Sequence, residues 1–196
     1  MPRRCCRVSR EPRYRRCVVS QPAQALRPTK GTLLLTWAGL APAGSHQLCL
    51  AHSFDQVLAD LRAAVGNATH GELDSGASSS ATKDEFEDRM QRLAGDSGFM
   101  LFFELNHGAW LERYGLHRKV RRWIFGNPVI AYTMLRHDIT AGLFAPVELL
   151  LFETESGTTV MYDLPSSLMV IEDNPSLLDA ARVLDRKLAE LIERVV

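Results

Sequence analysis

The sequence predicts an α+β domain in which helices cover a small mixed or antiparallel sheet, and three observations carry the prediction. Amphipathic stretches, apolar at every third or fourth residue, alternate with short runs rich in β-formers. Helix starts are marked by capping boxes at Ser53/Gln56 and Thr82/Glu85 and by the pairs Asn127-Pro128 and Asn174-Pro175. The stretch from Val147 to Tyr162, two β-rich runs about Ser156-Gly157, reads as a hairpin.

Composition sets the frame for these elements. A chain of 196 residues suits one ordinary domain with an extension. Apolar and charged shares of 46% and 23% belong to a globular chain rather than a disordered or membrane-embedded one. The zero net charge hides an asymmetry: residues 1–30 hold nine Arg or Lys against Glu11 alone, a sum of +8, so the remainder carries −8. Residues 1–46 are therefore read as a basic, disordered leader and linker, and 47–196 as a single domain. Such a leader is a plain tail, an organelle transit peptide, or an arm that docks on nucleic acid or anionic lipid. Pro2, Pro12, Pro22 and Pro28 break an amphipathic presequence helix, and Tyr14 as the one interleaved aromatic disfavours nucleic acid. A cytoplasmic location is expected, with a mitochondrial one as the alternative through the leader. The apolar run Thr32–Leu40, followed by Ala41-Pro42-Ala43, imitates a signal core but lies deep in the chain. It also falls short of the roughly 20 apolar residues that cross a bilayer, and is read as a strand or linker. Cys5, Cys6, Cys17 and Cys49 show no metal-ligand spacing, and no disulfide framework is expected.

The elements follow in order. Gln47 to His52 is a short strand, and Ser53 opens a helix with Phe54, Val57, Leu58, Leu61, Ala64 and Val65 on one face. Residues 67–81, rich in Gly and Ser, are expected to be a loop. Thr82 caps a helix that carries Phe86, Met90 and Leu93 inward and stops at Gly95. Phe99–Leu105, apolar on both faces, is expected to be a central strand. Asn106 caps a short helix bearing Trp110, Leu111 and Tyr114, ended by Gly115. Arg118, Lys119, Arg121 and Arg122 precede a brief strand, Trp123–Phe125. Asn127 then caps a helix that starts at Pro128 and points Ile130, Met134 and Leu135 inward, and a turn follows at Ala141-Gly142. After the hairpin, Asn174-Pro175 begins a last helix whose Leu177, Ala181, Leu184, Leu188, Leu191 and Val195 form a heptad-like seam. Packing on the sheet is the primary expectation for that seam, and a dimer contact the alternative.

With these elements in place, Phe99 to about Leu168 resembles the domain of unknown function 302 family. The counterparts are Asn106-His107 at a strand end, Gly126-Asn127-Pro128, Ala145-Pro146 before the strand Val147–Phe152, and Tyr162 followed by Pro165. Asn106 stands where the family usually has Asp, and the 67–81 loop splits what is usually one helical region. The resemblance implies a two-layer α+β sandwich that often self-associates, and no activity.

Chemistry-bearing residues are sparse. Glu104 and His107, at the end of a strand, offer a base or metal pair that His117 can join in space, although no third ligand lies near in sequence. The free amides after Asn127, with Arg121 and Arg122 upstream, can attract an anion, while Asn127 is fully explained as a cap. Ser166 and Ser167 lack a nucleophile elbow and a base. His137-Asp138 point apart at a helix end. No cofactor is implied. The expected function is a ligand-binding or self-associating module, possible partners being a small molecule and a second copy, with a candidate cleft of Glu104, His107, Asn127, His137 and Tyr162. The alternatives are an enzyme using Glu104 and His107 with a metal or bound anion, and docking through the leader.

Overall fold

The computed structural model describes residues 35–36 and 45–195. Residues 1–34 and 37–44, and with them three of the four cysteines, lie outside the described residues. Within them runs a mixed seven-stranded sheet of order β1-β2-β7-β6-β5-β4-β3. Its strands are β1 (Leu35–Thr36), β2 (Ser45–Leu50), β3 (Gly66–Asn67), β4 (Met100–Asn106), β5 (Val120–Gly126), β6 (Val147–Thr154) and β7 (Gly157–Asp163). Only the β3–β4 pair is parallel. The helices are α1 (Phe54–Ala64), α2 (His70–Ser79), α3 (Lys83–Leu93), α4 (His107–Leu111), α5 (Pro128–Leu135), α6 (Pro165–Met169) and α7 (Pro175–Glu193). This is the α+β sandwich that the alternating periods predict. No described helix is long and apolar enough to cross a membrane.

The predicted N-caps form, but neither predicted box closes reciprocally, since Gln56 donates to Asp60 and Glu85 accepts from Ala81 N instead. Ser53 accepts from Gln56 N, Thr82 from Glu85 N, Asn127 from Val129 N and Asn174 from Leu177 N. Each side-chain oxygen occupies a backbone donor that the first turn leaves free. The main core lies between the sheet and the helices α1 and α7. Phe54, Val57 and Leu61 meet Trp123, Phe125, Leu149, Leu151 and Val160 there, together with Leu177, Leu184, Leu188 and Leu191. Each such side chain, fully buried, stabilises the fold by about 1.5–3 kcal/mol. The α7 seam is therefore spent on its own chain's core, and its six apolar residues are all buried.

Four expectations need correction. Residues 67–81 are not a loop: α2 runs from His70 to Ser79 behind a capping box, Thr69 Oγ1 accepting from Glu72 N at 3.2 Å while Thr69 N donates to Glu72 at 2.7 Å. Gly and Ser are poor helix formers in isolation, and packing overrides that preference. Gly76 lies against α3, where an added Cβ would sit 2.8 Å from Met90 Cε, and Arg89 donates to Ser75 and Ser79 at 2.8 and 2.9 Å. Second, β4 is not central; beyond it lies only two-residue β3. Its apolar character on both faces is explained by a bulge between Leu101 and Phe103 and by a second small core, in which Met100 and Phe102 meet Met90, Phe86 and Leu73. Third, β5 begins at Val120, so Arg121 and Arg122 are strand residues on opposite faces rather than a basic run before a strand. Fourth, Ala141-Gly142 lies inside a 3-10 helix, Ile139–Phe144, capped by Asp138, which accepts from Thr140 N at 2.9 Å.

Candidate functional site

Residues paired across neighbouring strands share a face. One such row joins Glu104 to Trp123 and Trp123 to Leu149; the β6–β7 register carries it to Tyr162, which is opposite His46. The row lies on the face covered by α1 and α7. It ends at Glu104, and that end is the most elaborate polar cluster among the described residues.

Glu104 accepts from Arg62 Nη2 at 2.9 and 2.8 Å, one bond to each carboxylate oxygen. Arg121 Nε donates to Oε1 at 2.9 Å and Trp123 Nε1 to Oε2 at 3.1 Å. Arg121 also donates to Asn106 Oδ1, which caps α4 by accepting from Ala109 N at 3.0 Å. Strand β4, strand β5 and helix α1 thus converge on one carboxylate. Both of its oxygens are filled by N–H donors, so a metal or a substrate proton would first have to displace a guanidinium.

Beside this cluster opens a cleft of ≈ 290 Å³ lined by Phe54, Asp55, Asn106, Gly108, Ala109, Glu112, Arg118, Lys119 and Arg121. Gly108 makes the wall possible, since a Cβ there would lie 2.6 Å from Arg118 O. Lys119 Nζ and Arg121 Cζ sit 5.8 and 6.0 Å from the centroid of the Phe54 ring. Lys119 bonds Asp55 at 2.6 Å, and that hydrogen bond holds its ammonium above the ordinary lysine range. Arg118 has no ion pair or side-chain hydrogen bond among the described residues, which leaves a cation available in a cleft whose other cations are engaged.

Of the five residues expected to share a cleft, the structure brings Glu104 and His107 to this end of the sheet and sets the other three apart. His107 is the first residue of α4, edge-on to Trp110 with ring centroids 5.7 Å apart, and its Nδ1 is buried without a partner. Asn127 lies beyond the opposite end of β5, roughly 20 Å along the strand from Arg121. There it accepts from Val129 N and donates to Gly98 O, both at 2.9 Å, so its amide is fully used as a cap and brace. His137 follows α5, its carbonyl accepting from Asn174 Nδ2 at 3.4 Å. Tyr162 shares the row with Glu104 but is three strands away, roughly 14 Å. His117 is exposed in the loop after α4. Ser167 Oγ donates to Leu164 O at 2.7 Å, a local turn bond. Among the described residues no group of three His, Cys, Asp or Glu is placed to hold a metal ion.

Sequence reading missed Arg62, Phe54 and Asp55 as site residues, because their link to Arg121 is made by α1 packing and has no local pattern. It also missed His46, which lies just before the strand as drawn from sequence. His46 is 5% exposed, stacks on Tyr162 at 5.5 Å, and has both ring nitrogens buried without partners. Burial lowers its pKa against the opposing pull of Asp185 and Asp163. Burial, helped by Asp185 and Glu193, pushes that of Tyr162 up to about 12.

Comparison with known proteins places the fold. Residues 76–195, more than half the chain, match the family described as Domain of unknown function DUF302. An uncharacterized conserved DUF302 protein from Bacillus stearothermophilus, solved by crystallography, has a similar structure, with a TM-score of 0.54 over 78% of this chain and 98% of that one. At 15% sequence identity the likeness is one of fold. No curated protein matches the chain.

Proposed function

The chain belongs to the DUF302 family, a domain of unknown function, and from that premise we propose that it is a binding module for a small anionic molecule held in the cleft between α1, α4 and β5. The observation that carries the reading is Arg118, a cation without an ion pair among the described residues, beside Lys119 and Arg121 over the Phe54 ring. A carboxylate or phosphate group entering the cleft would take Arg118 first. It would then compete with Asp55 for Lys119, whose bond is on the exposed rim. Glu104 and His107 act behind the cleft in this reading. Glu104 orients Arg121, and His107 sets the start of α4. No catalytic step is assigned to either.

Calorimetric titration of the full chain with inorganic phosphate and with a small dicarboxylate tests the proposal. Arg118→Ala is expected to weaken the better of the two by about tenfold or more, the loss of a charge-assisted hydrogen bond. Asn106→Asp keeps the cap but adds a negative charge beside Arg121, and is expected to weaken it less. The reading fails if the parent takes up neither anion, or if Arg118→Ala binds as the parent does.

A further inference from the structure

The charged side chains that line the cleft between α1, α4 and β5 are Asp55, Glu112, Arg118, Lys119 and Arg121. Three of them are engaged within the protein, Lys119 with Asp55 and Arg121 with Glu104. The two that remain have opposite signs. Arg118 and Glu112 are both exposed, and neither has an ion pair or a side-chain hydrogen bond among the described residues. They also lie beyond ion-pair distance of each other. The backbone on both sides is fixed. Glu112 sits where α4 passes into a 3-10 turn, Glu112–Tyr114, and its N–H donates to Gly108 O. Gly115, at φ 77°, then reverses the chain, and Leu116 N closes onto Leu111 O at 3.1 Å. Arg118 is thereby returned against α4, its carbonyl oxygen packed on the Cα of Gly108. One held backbone thus presents an unpaired anion and an unpaired cation to the same cleft.

We infer that the ligand of this cleft is a zwitterion, a free amino acid whose carboxylate pairs with Arg118 and whose ammonium pairs with Glu112. The inference rests on the anion-binding reading of the cleft and adds the second charge. Sign decides between the candidate ligands. A phosphate or a dicarboxylate brings surplus negative charge up to Glu112, where like charges repel. An amino acid replaces that repulsion with a second charge-assisted hydrogen bond. Both of its partners are already on the cleft wall, so no bond inside the protein has to break: Lys119 keeps Asp55, and Arg121 keeps Glu104. The body of the ligand has apolar wall to lie on, supplied by Phe54, Gly108 and Ala109. Size points the same way. At ≈ 290 Å³ the cleft is at the low end of ligand sites, which run from about 300 to 1,000 Å³, and suits a single amino acid rather than a nucleotide or a peptide.

Calorimetric titration of the full chain with three probes of one shape separates the two charges. The probes are leucine, isocaproate, which lacks the ammonium, and isoamylamine, which lacks the carboxylate. Leucine is expected to bind the parent about tenfold or more tightly than either, the worth of one charge-assisted hydrogen bond. Glu112→Gln keeps the side-chain shape and should bring leucine down to the affinity of isocaproate, without weakening isocaproate itself. Arg118→Ala should weaken leucine and isocaproate alike and leave isoamylamine unchanged. Circular dichroism checks that the variants fold, and the order of the three probes on the parent decides without any variant. The inference is overturned if isocaproate binds the parent as tightly as leucine, if folded Glu112→Gln keeps the parent's affinity for leucine, or if leucine is not taken up. In each of those cases, uptake of isocaproate or phosphate that still depends on Arg118 leaves the anion-binding reading standing, whereas a parent that takes up no anion removes both.

Discussion

At one end of the row that crosses the sheet, Glu104 is held by Arg62, Arg121 and the Trp123 indole. At the other, His46 lies stacked on Tyr162 with both nitrogens unpartnered. Both ends face the same helical layer, Glu104 from β4 under α1 and His46 from β2 on the same face of the sheet, yet only one is supplied with partners. The difference follows from charge. A carboxylate taken from water costs too much unless donors replace its hydration, whereas a neutral imidazole can be buried unpaired at a cost of about 1–3 kcal/mol. The polar cluster is thus a stabilised feature beside the cleft, and the His46–Tyr162 stack is a tolerated defect whose cost depends on pH.

The largest expected effect comes from breaking the satisfied end. Glu104→Gln leaves Arg121 and Arg62 without a counter-charge and should cost about 3 kcal/mol, read as a lowered urea midpoint at pH 7. An unchanged midpoint would place the cluster with ordinary surface pairs, which contribute about 0–1 kcal/mol.

The unsatisfied end should answer to pH instead. The Tyr162 pKa is raised from 10.0 to about 12 on folding. The unfolded chain therefore loses its proton first as pH rises past 10, and stability present below pH 10 drains away toward 12. Two pH units correspond to roughly 2.7 kcal/mol at full development. Tyr162→Phe should flatten that alkaline decline in chemical denaturation at pH 9 to 11; a decline as steep as the parent's would locate it elsewhere.

His46 carries the opposite sign. Its pKa is lowered from 6.5, so the unfolded chain is protonated first as pH falls through 6.5, and stability is lost in the window below that value. His46→Phe removes two unpartnered nitrogens, and should stabilise the fold by about 1 kcal/mol at pH 7. It should also shrink the loss between pH 7 and 5. Destabilisation at pH 7 would mean that the imidazole has a partner after all. The smallest effect is reserved for Asn106→Asp, which keeps the α4 cap and gives Arg121 a charged acceptor. A gain of about 0.5 kcal/mol is expected, visible as a small rise in Tm that high salt erases.

The two ends also differ in how far they could be read in advance. Asn106 as a cap and Glu104 at a strand exit are local statements, and both were legible. That Arg62 reaches Glu104 across 42 positions, or that Trp123 stands opposite it, depends on helix packing and strand register. A slip of one residue in that register would send every side chain to the other face. His46 was invisible for the same reason, since a strand drawn two residues late leaves it outside the sheet. Helix α2 was missed despite its Thr69/Glu72 box because Gly and Ser argue locally for a loop, and only the contact of Gly76 with Met90 reverses that.

By itself the sequence determined the helix caps, the apolar period of α1 and α7, the hairpin and the α+β class, all of which depend on neighbours within a few residues. The tertiary structure alone decided that β4 lies beside an edge, that Arg121 and Arg122 part to opposite faces, and that Arg62 of α1 meets Glu104 of β4. Those outcomes depend on which surfaces meet after the chain has closed loops of forty to a hundred residues, and no local pattern records that choice.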